Sequence, residues 1–525
     1  MKSRIPLAIG AMGAATVLLS GCVSFTGDAD AGGDTVVMAI TSDIGNLDPQ
    51  SQTSNDLTQF KNLTYDRLIN ENAETGDIEK WLATAWKEDL HSARFTIDSN
   101  AKCDDGSVID ADVVAENYRQ LVAPDSTSPF KGISVPADLT VEVEGKDVIL
   151  STKTDYPFFL RSVGGVPIVC KAGLEDRKAL ATKSFGTGPF ILDKTVSGTE
   201  YRLVKREGYT WGPGGMTSDV DGFPANMVLR IVGNETTAAN LLLSGELNIA
   251  MIQGPDRARV EAAKIPSQDY EVVIGEFWFN QDQGRVAQSE KVRRALSEAA
   301  NLDELAPVVS SGKGSRPKSM ITLEPVACPA DVIGDRLPKH DLTAAAAALE
   351  SEGWRKNASG VYARDGKTLS INMVYPSKWG QPMADAAELM TENLKAFGVD
   401  ASVRVLDAPA MSETLFKTGD FDIAWSPFTM DNPRLLAPLV RGANPRDGGQ
   451  NFGSIKNEQH DALVAAALKK AGTEGCPEWN EAESTLIDQV DVVPFQTTRV
   501  PIFTRGVTAD VVRGSIAPWS IRMAK

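Results

Sequence analysis

Between Leu369 and Trp425 the chain alternates strand and helix periodicity, and that alternation restricts its fold more than any other feature. Ser370 to Tyr375 reads as a strand. Pro382 opens a helix with Ala387, Met390, Leu394 and Phe397 on one face, and Gly398 stops it. Val399 to Leu406 reads as a second strand. Pro409 to Thr418 forms a short helix closed by Gly419, and Phe421, Ile423 and Trp425 alternate in a third strand. Strand–helix–strand–helix–strand at these lengths requires parallel strands with right-handed crossovers, hence an α/β fold. In such open sheets ligands bind beyond the carboxyl ends of the strands. Two loops lie there: Tyr375-Pro376-Ser377-Lys378-Trp379 and Ser426-Pro427-Phe428-Thr429-Met430-Asp431-Asn432-Pro433. Aromatic planes with a few directional polar groups suit a small-molecule cleft.

The rest of the chain carries weaker patterns. Thr35 to Ile40 reads as a strand, followed by a loop through Thr41, Ser42 and Asp43, then a helix with Leu57, Phe60, Thr64 and Leu68 at helical spacing. From about 76 to 185 short alternating runs dominate. Leu139, Val141 and Val143 alternate, turn through Glu144-Gly145-Lys146-Asp147, and resume at Val148 and Leu150 as a hairpin. Asp110 is placed to cap a helix bearing Val114, Tyr118 and Leu121. No solenoid-length repeat is visible.

Length and charge narrow the function. At 525 residues, two to four domains are expected. With 53 basic and 70 acidic side chains the formal charge is −17, which repels phosphate backbones and argues against a nucleic-acid partner. Three histidines, His91, His340 and His460, leave little material for an imidazole metal site.

The N-terminus carries Lys2 and Arg4, an apolar run from Ile5 to Leu19, and Leu19-Ser20-Gly21-Cys22. The run is short for a bilayer span and fits an export signal, residues 1–21. The last four residues resemble a bacterial lipobox, in which Cys22 becomes the lipidated N-terminus. Cleavage there removes two basic residues and no acids, so the mature chain is more acidic by two charges. Residues 22–33, small, polar and acidic, read as a flexible tether. The four remaining cysteines, an even count outside the cytoplasm, suggest disulfides, and four allow three connectivities.

Candidate chemistry is sparse. Gly366-Lys367-Thr368 lacks the glycine a phosphate loop needs, since Val361 stands there. Asp365-Gly366 instead signals a type I′ hairpin turn. Gly186-Thr187-Gly188-Pro189 is no dinucleotide fingerprint and reads as a tight turn or hinge. Trp211-Gly212-Pro213-Gly214-Gly215 reads as a bend with one exposed or cleft-facing aromatic. No Gly-x-Ser-x-Gly or His-Glu-x-x-His occurs. A hydrolase using two carboxylates remains the alternative of another class, because glycosidase chemistry needs no more than that.

A series of markers resembles the family 5 extracytoplasmic solute-binding proteins of ABC importers, the peptide- and nickel-binding type. They are Asn46-Leu47-Asp48-Pro49, Tyr65-Asp66-Arg67-Leu68, Lys80 to Trp86, Ala93 to Ile97, Asp104 to Val113, Gly186 to Phe190, Lys291 to Leu296, Glu352-Gly353-Trp354 and Gly419 to Ile423, in register over nearly the whole mature chain. The resemblance implies a two-lobed periplasmic-binding-protein-like clamp of type II with an extra inserted domain. Residues 34–75, 186–281 and 496–525 would form lobe I, 76–185 the inserted lobe II, and 282–495 lobe III. Each of the pairs Cys103–Cys170 and Cys328–Cys476 then falls within one segment, which favours that connectivity.

The implied function is capture of a peptide-like solute and delivery to permease subunits with separate ATPases. The protein would be a monomer on the outer face of the cell membrane, lipid-anchored, with no cofactor or metal and no catalysis. An oligosaccharide or metal chelate is the alternative ligand. Peptide-binding members hold the ligand's α-amino group with an aspartate three residues after the tryptophan ending the equivalent strand. Counting from Trp425, Phe428 stands there, and Asp431 lies three residues further. The expected ligand residues are Trp425, Phe428, Asp431, Tyr375 and Trp379 from one lobe, and Thr41, Ser42, Asp43, Trp278 and Asn280 from the other.

Overall fold

The computed structural model describes residues 33–97 and 100–524, so the expected signal peptide, Cys22 and nearly all of the expected tether lie outside the described residues. Ten strands form one mixed sheet. In chain order they are β1 (Thr35–Ile40), β2 (Phe190–Val196), β3 (Glu200–Lys205), β4 (Asn226–Ile231), β5 (Ile249–Met251), β6 (Ser267–Phe279), β7 (Ser370–Pro376), β8 (Asp400–Leu406), β9 (Ile423–Trp425) and β10 (Val492–Thr504). Across the sheet the order is β8-β7-β9-β6-β10-β5-β1-β4-β3-β2.

The strand–helix–strand–helix–strand unit forms as expected. β7 pairs in parallel with both β8 and β9. The first helix, Gly380–Phe397, ends on Gly398 at φ +110°, a left-handed conformation a side chain would strain. The second, Ala408–Glu413, is capped by Asp407 and continues as a π turn through Thr418 to Gly419. Asp365 and Gly366 both take positive φ, the type I′ geometry.

Two 13-residue strands join the halves of the sheet. β6 and β10 run antiparallel from Ser267 opposite Phe503 to Trp278 opposite Val492. Their register slips on either side of Gly275, and a Cβ there would meet Phe495 Cζ at 2.7 Å and Gln496 Cβ at 2.8 Å. The register shift is a β-bulge within an otherwise continuous antiparallel ladder.

Each half has its own core. Ile274, Phe277, Trp278, Met390, Phe421 and Trp425 belong to one cluster, on the β7–β9 half. On the other half β1 alternates: Val36, Met38 and Ile40 face one cluster, and Val37 faces another with Val228 and Leu242. Both sheet faces are covered there, so β1 is almost continuously apolar.

Residues 76–185 contribute a four-stranded antiparallel sheet, Ala83–Glu88, Ser92–Ile97, Asp147–Ser151 and Thr140–Glu144 in that spatial order. Asp110 accepts from the Val113 amide at 2.9 Å and caps helix Ala111–Val122. The segment has no separate core: Phe95, Tyr118 and Phe159 share a cluster with Leu57 and Phe60. Ile78–Lys80 pairs back on Ile69–Glu71, so position 76 falls inside a hairpin. The helix after β1 is Asn55–Thr64; Leu68 lies beyond it in extended chain, its amide bound to the Gly164 carbonyl. Disulfides join Cys103 to Cys170 and Cys328 to Cys476, the expected pairing.

Candidate functional site: a cavity between the lobes

The Tyr65-Asp66-Arg67-Leu68 segment leaves helix Asn55–Thr64 and divides two side chains between two environments. Asp66 is fully buried and accepts from Thr187 Oγ1 at 2.9 Å, Tyr209 Oη at 3.1 Å and Trp211 Nε1 at 2.9 Å. Burial pushes its carboxyl up to about 6, against the lowering effect of those donors and of Arg206. Gly186 and Gly188 let the Thr187 segment approach: a Cβ at Gly188 would lie 2.5 Å from the Thr64 carbonyl carbon. The Gly-Thr-Gly run is therefore a close backbone contact, and Trp211, half-buried, anchors Asp66 rather than facing the cleft between the lobes.

Arg67 turns the other way, into a cavity of about 330 Å³. Its walls come from helix Asn55–Thr64 and the chain after it (Asn62, Arg67, Glu71), from the inserted segment (Trp81, Phe158, Arg161), from the second half (Asp431, Asn432) and from the C-terminal chain (Arg513, Trp519). Trp81 meets Trp519 edge-on at 5.4 Å.

The polar groups are connected. Glu71 pairs with Arg161 and accepts from Arg513 Nη1 at 3.3 Å and Nη2 at 3.1 Å. Arg513 Nη2 also lies 3.3 Å from Asp431 Oδ2 and donates to the Pro325 carbonyl at 3.0 Å. Arg67 Nη2 donates to Asn62 Oδ1 at 2.6 Å. Burial and the positive charge of Arg513 lower the Arg67 pKa to about 10, countered in part by Glu71 and Asp66. Arg513 Nε is enclosed and donates to nothing.

The lobes meet over this cavity. Arg434, on helix Pro433–Val440, lies with its guanidinium carbon 3.6 Å from the Tyr156 ring centroid and donates to the Ile133 carbonyl at 3.2 Å. Together with the Arg513–Asp431 pair, this joins the second half of the chain to segments on the other side of the sheet order.

Of the residues expected to bind ligand, Asp431 reaches the cavity and the others do not. Trp425 is fully buried, its indole N–H bound to the Ile274 carbonyl at 2.7 Å and its ring against Phe277 and Phe495. Trp278 is equally buried, donating to Glu276 Oε2 at 3.0 Å and the Ser426 carbonyl at 2.9 Å. Phe428 stacks edge-on against Trp278 at 5.3 Å. Tyr375 lies in the core and Trp379 packs against it. Asn280 donates to the Gly419 and Phe421 carbonyls, both at 3.0 Å, bracing the turn before β9. Thr41 and Ser42 converge on Asp56, each through amide and hydroxyl, while Asp43 accepts from Tyr201 Oη and the Gly198 amide. Trp278, Trp425 and Tyr375 fill core, and Phe428 and Trp379 are half-buried against it.

Arg67, Glu71, Arg161 and Arg513 were missed. The signal available was that Arg67 and Trp81 stand inside the two earliest tryptophan- and tyrosine-bearing family markers.

Residues 77–449 match the family described as bacterial extracellular solute-binding proteins, family 5 Middle. The chain belongs to this family. Among relatives, the probable D,D-dipeptide-binding periplasmic protein DdpA of Escherichia coli K12 is 24% identical over 496 residues, covering 88% of both chains. The periplasmic murein peptide-binding protein MppA of the same organism is 24% identical over 489 residues, 88% of this chain and 87% of MppA. Among solved structures, the ABC transporter substrate-binding protein CtaP of Listeria monocytogenes superposes with a TM-score of 0.77 at 18% identity, covering 95% of this chain and 100% of CtaP. The two-lobed clamp is thus the fold of the family, whose members are extracytoplasmic binding proteins of transporters rather than enzymes. Among the described residues no helix is long and apolar enough to cross a membrane, and no group of three or more His, Cys, Asp or Glu is arranged to hold a metal ion.

Proposed function

We propose that this chain is the solute-capturing receptor of an ABC uptake system and that its solute is a small peptide-like molecule held between the lobes. The observation that carries the reading is the placement of the cavity: Arg67, Arg161 and Asp431 reach it from three separate segments, so a molecule inside would contact both halves at once. Such a ligand binds the closed state in preference to the open one and drives closure by that difference. A volume of about 330 Å³ sits at the small end of ligand pockets and suits a dipeptide-sized solute. The names of DdpA and MppA support a peptide class. The cavity arginines also suit the carboxylates of a metal chelate, the second reading.

In this proposal the chain is an extracytoplasmic monomer tethered through lipid on Cys22, and the closed form docks on a permease whose ATPases are separate chains. Mass spectrometry of small molecules released on denaturing the purified protein tests the reading. One low-mass solute near stoichiometric amount is expected, and adding it back should raise the unfolding temperature. No released solute and no thermal shift with peptides, oligosaccharides or chelates would remove the reading. Turnover of a chromogenic glycoside, lost on replacing one cavity acid, would put a hydrolase in its place.

A further inference from the structure

The charges around the cavity do not balance. Its ionic lining consists of Arg67, Arg161 and Arg513 against Glu71 and Asp431. Both acids are already engaged: Glu71 by Arg161 and Arg513, Asp431 by Arg513 and by Asn432 Nδ2 at 2.7 Å. Arg67 has no carboxylate within ion-pair distance, only the neutral Asn62. The neighbouring acid, Asp66, is turned away toward Thr187, Tyr209 and Trp211. Arg513 Nε is enclosed and has no acceptor. Arg67 is half-buried, and a partly desolvated guanidinium without an anion gains from an acceptor supplied by the solute.

The opposite charge finds no seat. Phe428, at the position where an aspartate was expected, is half-buried on Trp278 and lies outside the lining. Its amide is bound to Glu276, a carboxyl with no exposed surface that cannot reach the cavity. An arriving ammonium would have to break the Glu71 or Asp431 pairs, leaving an arginine unpaired in turn.

We infer that the solute carries one carboxylate, received by Arg67, and no free ammonium group: an N-blocked acid of dipeptide size. This rests on the receptor reading and specifies the charge of what that receptor takes.

Calorimetric titration with four matched probes tests it: dialanine, N-acetyl-dialanine, dialanine amide and N-acetyl-dialanine amide, which are zwitterion, anion, cation and neutral. N-acetyl-dialanine should bind at least about tenfold more tightly than the other three, and Arg67→Gln should erase that preference while leaving the unfolding temperature of the free protein within a few degrees. Because Arg67→Gln alone could misfold, the salt dependence of wild-type binding gives a second measurement: affinity for the anion should fall as ionic strength rises. Dialanine or its amide binding as tightly as the acetylated acid would overturn the inference. If none of the four binds while a solute co-purifies, that solute's charge decides, and a free amine overturns it. A receptor shown to bind zwitterions loses this inference and keeps the proposed function, whereas a chain that binds no solute at all loses both.

Discussion

Replacing Glu276 by glutamine should remove a pH-dependent loss of stability. Glu276 lies at the β6 bulge beside Gly275, has no exposed surface, and faces no cation. Its Oε2 accepts from Trp278 Nε1 at 3.0 Å and the Phe428 amide at 2.9 Å, tying β6 to the loop that carries Asp431, while Oε1 has no partner. Burial pushes the carboxyl from 4.5 up to about 8, with a further contribution from Glu483. The unfolded chain releases this proton near the ordinary value and the folded chain keeps it. Stability is therefore fully present below about pH 4.5 and is lost as pH rises toward about 8. At about 1.4 kcal/mol per pH unit, the ceiling between pH 5 and pH 8 is about 4 kcal/mol, and water entering the bulge reduces it. Glutamine keeps the shape and an acceptor for both N–H groups but never ionises. Guanidinium unfolding followed by tryptophan fluorescence at several pH values should show the two proteins nearly equal at pH 5 and Glu276→Gln ahead by about 2–4 kcal/mol at pH 8. Glu483, itself raised to about 7, and Asp66 remain in both proteins, so the difference reports Glu276. Stability curves that run parallel from pH 5 to pH 8 would refute the reasoning.

Arg513→Ala removes the pair that joins Glu71 to Asp431 across the cleft; it should favour the open clamp by about 1 kcal/mol, seen as a larger radius of gyration in solution scattering of the unliganded protein. Gly188→Ala sets a Cβ 2.5 Å from Thr64 C and 2.7 Å from Leu63 O, both backbone atoms, and should cost about 2–3 kcal/mol in denaturant unfolding. Cys170→Ser opens a crosslink spanning 67 residues; a loss of about 4 kcal/mol in denaturant unfolding is expected.

What could be read along the chain was what neighbours in sequence decide. The β7–β9 unit was legible because each helix carries a capping residue and a stripe of apolar positions, and each strand alternates. The hairpin at Gly145 and the cap at Asp110 were local in the same sense. Aromatics at strand ends misled, because alternation marks a residue as buried without saying what buries it. Trp278 and Trp425 are held by core partners and satisfied carbonyls, and leave no face for a ligand.

The arginines of the cavity had no local signature. One arginine among 53 basic residues shows no periodicity, and its role depends on what the fold sets opposite it. Arg513 is 442 residues from Glu71, and Arg161 is 90. By itself the sequence determined the α/β class, the family, the disulfide segments and the local turns, since short-range sterics and hydrophobic period suffice for these. The tertiary structure alone decided where the cavity lies, which charges it pairs and which it leaves over, because charge balance in a cavity is a sum over residues that meet only after the chain has folded.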